Sequence, residues 1–271
     1  MLVTPKISVV MAVYNGEKFL SAAIDSILNQ TFNDFEFIIV DDGSKDESAG
    51  ILAKYAQRDS RIKIISQPNQ GLTRSLITAL SLAQGDYIAR MDADDESCPD
   101  RLEKLFSFME SNSTVAAVGS NAIMIDEVGR ELKKVILPAV DTIKKRLTVR
   151  NLFIHGSLLM RRSACVAVGG YDITFRLAQD YDLLLRLLAH GYELSIVPDF
   201  LYRLRSTSGS LSVKRVFKQA YFTTLAQHYY FTHYPGKIVK PIMFKFRRLF
   251  CLIYIYKLGI PALLRLLKII R

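Results

Sequence analysis

The sequence contains no tryptophan, and its three cysteines, Cys98, Cys165 and Cys251, are scattered. No C-x-x-C spacing occurs, so neither a paired-cysteine zinc site nor a disulfide framework is expected, and the odd thiol count fits a reducing compartment. With 14 glycines and 8 prolines in 271 residues and no low-complexity tract, the chain is neither fibrous nor mainly disordered. No repeat of solenoid period is present. The longest uninterrupted apolar run, Leu249–Tyr256, is far short of the roughly 20 residues that span a bilayer. The N-terminus, "MLVTPKISVVMAVYNG", lacks a basic region followed by a cleavage site, so no signal peptide is expected. Neither G-x-G-x-x-G after the first strand nor a Walker A sequence appears, which argues against dinucleotide and P-loop binding.

Acidic residues are missing from one region in particular. From Ser206 to Arg271 there are twelve Lys/Arg and no Asp/Glu, whereas the first 205 residues hold 24 basic and 26 acidic groups. The formal charge of +10 is therefore a property of the tail.

What the chain has is a core, since half of its residues are hydrophobic. Strand-like runs at Ile7–Tyr14, Phe35–Val40, Arg61–Ser66 and in "DYIARM" alternate with helical spacing over 17–30, 45–58 and 72–84. That alternation predicts βαβ units, a largely parallel sheet and an α/β fold, with ligands beyond the carboxyl ends of the strands. Further on, helices are expected from Pro99 to Asn112, over "QDYDLLLRLLAHG" and from Val213. Strands are expected at "TVAAVG", "ELKKVILP" and "ELSIVP", and a strand or its approach at 153–160.

Three expected strand ends carry chemistry. In "YIARMDADDESCPDR", four acids fall within five residues, and Asp92 and Asp94 face one way if the chain is extended. Two carboxylates on one face suit a hard divalent cation; the plainer reading is a helix cap, for which one acid suffices. Asp41-Asp42-Gly43-Ser44 ends the second strand, where a carboxylate can accept from a ribose hydroxyl or a base N–H, or simply cap a turn. Tyr14 ends the first, where a ring can stack on a base.

Four pieces, "SVVMAVYNGEKFLSAAIDSILNQTF", "FEFIIVDDGSKDES", "NQGLTRSLITALSLAQGDYIARMDADD" and "FRLAQDYDLLLRL", together resemble the inverting glycosyltransferases of family 2, over roughly residues 5–205. The resemblance implies the GT-A fold, a Rossmann-like α/β/α sandwich. Its catalytic domain would span 1–212, with a nucleotide-binding half at 1–98 and an acceptor half at 99–212. A basic amphipathic helical extension would follow at 213–271. It implies that Ala12 and Tyr14 hold the base, Asp42 reads its edge, and Asp41 supports the turn or ribose. Arg74 would lie near base or phosphates, Asp92 at the ribose or a metal-bound water, and Asp94 on Mn²⁺ or Mg²⁺. Asp180 would be the general base, preceded here by Gln179 where relatives often carry Glu. Asp182 reads as surface charge on the same helix. His155 falls in the acceptor segment. Arg205 stands where relatives often have His, and is expected to meet the diphosphate.

The implied reaction moves a sugar from a nucleoside-diphosphate sugar, by family habit a UDP-sugar, to a glycan or lipid-linked acceptor in cell-surface polysaccharide synthesis. The alternative is another nucleotide-using α/β enzyme, such as a sugar nucleotidyltransferase. Processive synthases of the family carry Q-x-x-R-W, and a chain without tryptophan does not. In 242–271, Arg265 and Lys268 lie on one side of an expected helix whose other side is Leu and Ile. That pattern predicts peripheral attachment to an anionic membrane surface, at the cytoplasmic face of the cell membrane, rather than nucleic-acid binding.

Overall fold

The structure, a computed structural model, describes residues 4–206 and 213–234. The first part builds β1 (Ile7–Val13), α1 (Leu20–Leu28), β2 (Phe35–Asp41), α2 (Ser48–Arg58), β3 (Ile62–Ser66), α3 (Leu72–Leu82) and β4 (Tyr87–Asp92). The second builds β5 (Glu96–Ser97), α4 (Arg101–Ser111), β6 (Val115–Ile125), β7 (Glu131–Val135), α5 (Ile143–Leu147), β8 (Leu159–Arg161) and α6 (Arg162–Ala167). It ends with α7 (Gln179–Ala189), β9 (Glu193–Arg205) and α8 (Val213–His233).

β1, β2 and β4 are apolar along nearly their whole length because both of their faces are covered. Side chains alternate across the sheet. Val10, Ile38 and Ile88 face Leu76 and Ala79 of α3 and Leu184 of α7. Val9, Phe37 and Met91 face Ile24 and Ile27 of α1 and Leu105 of α4. Cutting such a side chain to Ala costs about 2–5 kcal/mol, so these layers hold the strand ends rigidly in place.

The strand order is β3-β2-β1-β4-β8-β6-β9-β5, with β7 on β6. The half from β3 to β4 is entirely parallel. Beyond β4 the sheet is mixed: β8 runs antiparallel to β4 and β6, while β6 and β9 are parallel. Parallel neighbours bring the carboxyl ends together, so Val13 lies beside Asp41 and Ala12 beside Asp92.

Four local expectations change. The strand expected to end at Pro198 continues to Arg205, because the register with β6 shifts between Ser120 and Ala122 and Pro198 sits in that irregularity, where no ladder donor is needed. Asn121 fills the gap by donating to the Pro198 carbonyl at 2.8 Å. The stretch 153–160 is a 3-10 turn at 155–157 followed by β8. β5 has only two residues, which no periodicity can signal. Asp182 is buried rather than a surface charge.

α8 packs on α7, with Leu225, Ala226, Tyr230 and Phe231 joining the core. No helix among the described residues is long and apolar enough to cross a membrane. The 242–271 segment lies outside the described residues.

Candidate active site

The turns leaving β1 and β2 are stitched to each other. Asn15 takes a left-handed backbone (φ 52°); its N–H donates to Ser44 Oγ at 3.0 Å, and its Oδ1 accepts from Lys45 N–H at 2.8 Å. Gly16 N–H donates to Ser48 Oγ, and Glu17 N–H to Asp46. Tyr14 sits on this frame with 48% of its surface exposed, a ring free to stack. Ala12, half-buried, lines the strand end beside it.

Asp41 and Asp42 are buried and serve the loops around them. Asp41 Oδ1 accepts from Ser44 N–H at 3.0 Å, which closes the turn. Asp42 accepts from Gln67 Nε2 at 2.7 Å, from Gln70 N–H at 2.9 Å and from Gly71 N–H at 2.7 Å, and so fastens the 67–71 loop over the end of β2. Gly71 opens α3, and Arg74 in its first turn is exposed, with no ion pair among the described residues.

The acid loop after β4 is held from below and from the side. Beneath it lies Arg90, fully buried, whose Nη2 donates to Asp92 Oδ1 at 2.6 Å. Burial works against the Arg90 charge, but Asp92 and the surrounding oxygens offset it and hold the guanidinium above its ordinary pKa. Its Nε and Nη1 find no hydrogen-bond partner among the described residues. From the side, β9 pairs with β5, and Arg205 N–H donates to Asp95 Oδ1 at 2.7 Å. Tyr202 is buried, and its hydroxyl accepts from Asp92 N–H at 3.2 Å.

Arg205 therefore differs from expectation. Nε donates to Asp94 O at 2.8 Å, Nη1 to Asp126 O and Glu127 O, and Nη2 to Glu96. All three guanidinium nitrogens meet protein oxygens, so Arg205 braces the acid loop from within instead of reaching for a phosphate.

Desolvation comes first, and the charge of Asp92 second, in raising the pKa of both Asp94 and Asp95; for Asp95 the rise is large, and Asp94 adds to it. Among the described residues, no three His, Cys, Asp or Glu side chains converge as a closed metal site. The available donors are the exposed Asp94 carboxylate and the free oxygen of Asp92. That set fits Mn²⁺ or Mg²⁺, hard ions that take one or two carboxylates and complete their shells with water and substrate phosphates.

Asp180 stands on the far side, in the first turn of α7. The residue that starts the helix, Ala178, is left-handed (φ 67°), an unusual backbone for a residue with a β-carbon. Asn151 Nδ2 donates to Asp180 Oδ2 at 2.6 Å. Desolvation nonetheless raises the Asp180 pKa, against the hydrogen bonds from Tyr181 N–H and Asn151, and the Asp92 charge adds to the rise. His155 and Tyr171 are joined Nε2 to hydroxyl at 2.9 Å, and the charges of Asp180 and Asp92 both act on the Tyr171 hydroxyl. Burial and then Arg90 push the His155 pKa well below its ordinary value, so the ring is neutral. Gly156, next in the chain, lies against Tyr202 and Asp92.

The structure thus gathers Ala12, Tyr14, Asp41, Asp42, Asp92 and Asp94 at one row of strand ends, with His155 and Asp180 alongside. Arg90, Asn151, Tyr171 and Tyr202 also belong to this network. A charged residue inside the apolar strand "YIARMD" is a signal for Arg90; the other three carry none. A cavity of about 640 Å³ opens at the amino end of β4, where Lys6 pairs with Asp86 and Arg161 donates to the Tyr87 hydroxyl. It lies away from the strand ends that gather the acids.

Residues 8–169 match the family described as "Glycosyl transferase family 2". An uncharacterized glycosyltransferase of Methanocaldococcus jannaschii is 38% identical over 83% of this chain and 80% of its own length. The O-antigen biosynthesis glycosyltransferase WbnJ of Escherichia coli is 39% identical over 67% of this chain and 71% of its own. Among solved structures, the mannosyltransferase PcManGT of Pyrobaculum calidifontis, in complex with GDP-Man and Mn²⁺, aligns with a TM-score of 0.67 at 18% identity over 92% of this chain and 70% of that one. S. aureus TarS aligns at 0.63 and 20% identity over 81% of this chain, which spans only 39% of TarS. A shorter TarS chain in complex with UDP-GlcNAc aligns at 0.66 and 18% identity, over 86% of this chain and 72% of that one.

Proposed function

The chain belongs to glycosyl transferase family 2 and has the GT-A type of α/β fold. From that premise we propose that it transfers a sugar from a nucleoside-diphosphate sugar to an acceptor hydroxyl in surface-polysaccharide synthesis, with inversion at the anomeric carbon. The observation that carries this reading is Asp180: a desolvated carboxylate of raised pKa in the first turn of α7, held by Asn151 Nδ2 at 2.6 Å and near enough to Asp92 to feel its charge.

Tyr14 stacks on the base, with Ala12 beside it. Asp42 sets the loop that meets the base edge, Asp41 closes the ribose-side turn, and Arg74 faces the phosphates. Asp94, with Asp92, would hold Mn²⁺ or Mg²⁺, which when bound supplies positive charge for the departing diphosphate. Asp180 takes the proton of the acceptor hydroxyl. That oxygen forms its bond to the anomeric carbon as the bond from carbon to diphosphate oxygen breaks on the opposite side, and nucleoside diphosphate leaves. His155, neutral and hydrogen-bonded to Tyr171, lines the acceptor side.

Uridine is the proposed base, supported by the TarS complex with UDP-GlcNAc, although the GDP-Man complex shows that related folds accept guanosine. A glycan or lipid-linked acceptor is supported by the O-antigen relative. Attachment to the inner face of the cell membrane rests on the basic, apolar composition of 242–271.

The test is a melting-temperature panel of nucleoside diphosphates with and without Mn²⁺, followed by a donor-hydrolysis assay. One nucleotide should stabilise the protein only with metal, and its sugar conjugates should be turned over. Stabilisation by nucleoside triphosphates alone, with a sugar 1-phosphate displacing diphosphate from the triphosphate, would favour a nucleotidyltransferase instead.

A further inference from the structure

Arg146, in α5, and Arg150, just after it, are exposed and without an ion pair among the described residues. Arg150 N–H donates to Arg146 O at 3.1 Å, so helical spacing continues between them and both side chains leave the same face. They line a cavity of about 290 Å³ together with Ile136, Leu137, Pro138, Asn151 and Leu152. Ile136 is 73% exposed. Over 136–152 the only acid is Asp141, against Lys144, Lys145, Arg146 and Arg150. Two guanidinium groups side by side with no protein carboxylate to meet are a fit for phosphate oxygens, which they bind in pairs.

The cavity also touches the chemistry. Asn151 lines it, and the same side chain donates to Asp180 at 2.6 Å. The segment is not a loose surface turn. Leu147 O accepts from the Tyr181 hydroxyl at 2.6 Å, and Gln227 Nε2 donates to Thr148 O at 3.1 Å and Val149 O at 2.8 Å.

We propose that this cavity is the acceptor's anchoring subsite, and that it takes a phosphate or diphosphate joined to an apolar chain, the sugar that receives the transfer lying next to it at Asp180. Arg146 and Arg150 hold the phosphate oxygens, while Ile136, Leu137 and Leu152 cover the first carbons of the chain. This rests on the transferase reading and adds the acceptor's class to it: an anionic lipid carrier rather than a neutral glycan.

The experiment uses the full chain with UDP and Mn²⁺ at saturation, so that the donor side is filled. Farnesyl diphosphate, inorganic diphosphate and octyl glucoside are then titrated by calorimetry into the wild type, R146A/R150A and R146K/R150K. Farnesyl diphosphate should bind more tightly than either other probe. Its affinity should fall roughly 10-fold or more in R146A/R150A, as expected for lost charge-assisted hydrogen bonds, and recover in part in R146K/R150K. Equal affinity in the wild type and R146A/R150A overturns the proposal, as does inorganic diphosphate or octyl glucoside binding as tightly as farnesyl diphosphate. The melting shift given by UDP with Mn²⁺ is read on the same samples. Its presence beside an indifferent R146A/R150A sinks the acceptor inference alone, and its absence sinks the transferase reading as well.

Discussion

Gly156 lies so close to Tyr202 that a β-carbon built on it overlaps the Tyr202 hydroxyl and falls 2.8 Å from Asp92 Oδ2. Tyr202 is fully buried and has nowhere to retreat. Gly156→Ala should therefore displace the Tyr202 hydroxyl and, with it, the end of β4. Displacements of about 1 Å at a catalytic site cost on the order of 100-fold in rate. Steady-state kinetics and a melting curve on the same variant check this: kcat/KM should drop by about that factor and the melting temperature should fall. Unchanged kinetics would mean that the contact positions nothing.

Asp180→Asn should lower kcat by about 10²–10⁴-fold, the contribution of a positioned base, and leave nucleotide binding intact. Asn151→Ala makes a finer test. Asn151 stabilises the ionised form of Asp180, so its loss raises a pKa that desolvation already raises. Activity needs the ionised form, so the acid limb of the kcat profile should move to higher pH.

Asp182 and Arg186 form a buried pair, Oδ2 to Nη2 at 2.6 Å, and Arg186 also donates to Gly170 O at 2.6 Å. Breaking such a pair from one side costs about 3–5 kcal/mol, so Asp182→Ala should unfold far earlier in urea. Burial still pushes the Asp182 pKa up to about 6, even against Arg186. A carboxyl with a raised folded pKa contributes stability that is fully present below its unfolded value near 4 and is lost as pH rises through about 6. The stability difference between wild type and Asp182→Asn, measured by denaturant titration from pH 4 to 7.5, should shrink across that window.

Gln227 on α8 donates to Thr148 O, Val149 O and the Tyr181 hydroxyl, the last at 3.0 Å. Gln227→Ala should loosen the segment that carries Asn151. The expected outcome is a lower kcat and a weaker acceptor KM with an unaltered melting shift for nucleotide, since the proposed nucleotide site lies at the ends of β1, β2 and β4. An equal loss at both sites would point to general unfolding instead.

The half from β1 to β4 is the more legible part of the sequence. Its strands are buried on both faces and read as apolar runs, and its helices show clear spacing, so the pattern alone sets the acids at 41–42 and 92–95 at strand ends. The half from β5 onward is harder for physical reasons. β9 runs through Pro198 because a register shift absorbs it, and β5 is too short to have a period. Asp182 looked like surface charge because nothing local in the sequence shows that Arg186 points into the same buried space. The position of Arg205 beside a motif suggests a phosphate partner, whereas three of its partners, at Asp94, Asp126 and Glu127, are backbone carbonyls that no side-chain pattern encodes, and the fourth is the Glu96 carboxylate. Tyr202 and Asn151 act across the chain's folding, and only tertiary structure brings them to Asp92 and Asp180.

The pairing of β5 with β9 sets an order of events during synthesis. Asp95 accepts from Arg205, 110 residues later in the chain, and β9 must slot between β6 and β5 to make that bond. Strands β1 to β4 assemble from neighbouring segments, and Ser97 is tied back to Ser26 of α1, but the acid loop lacks its bond to Arg205 until translation has moved well past it, and closing so wide a loop is slow. A ribosome-bound chain cut short of β9 would present its carboxylates on a turn held from one side, acquiring competence only when the last strand arrives.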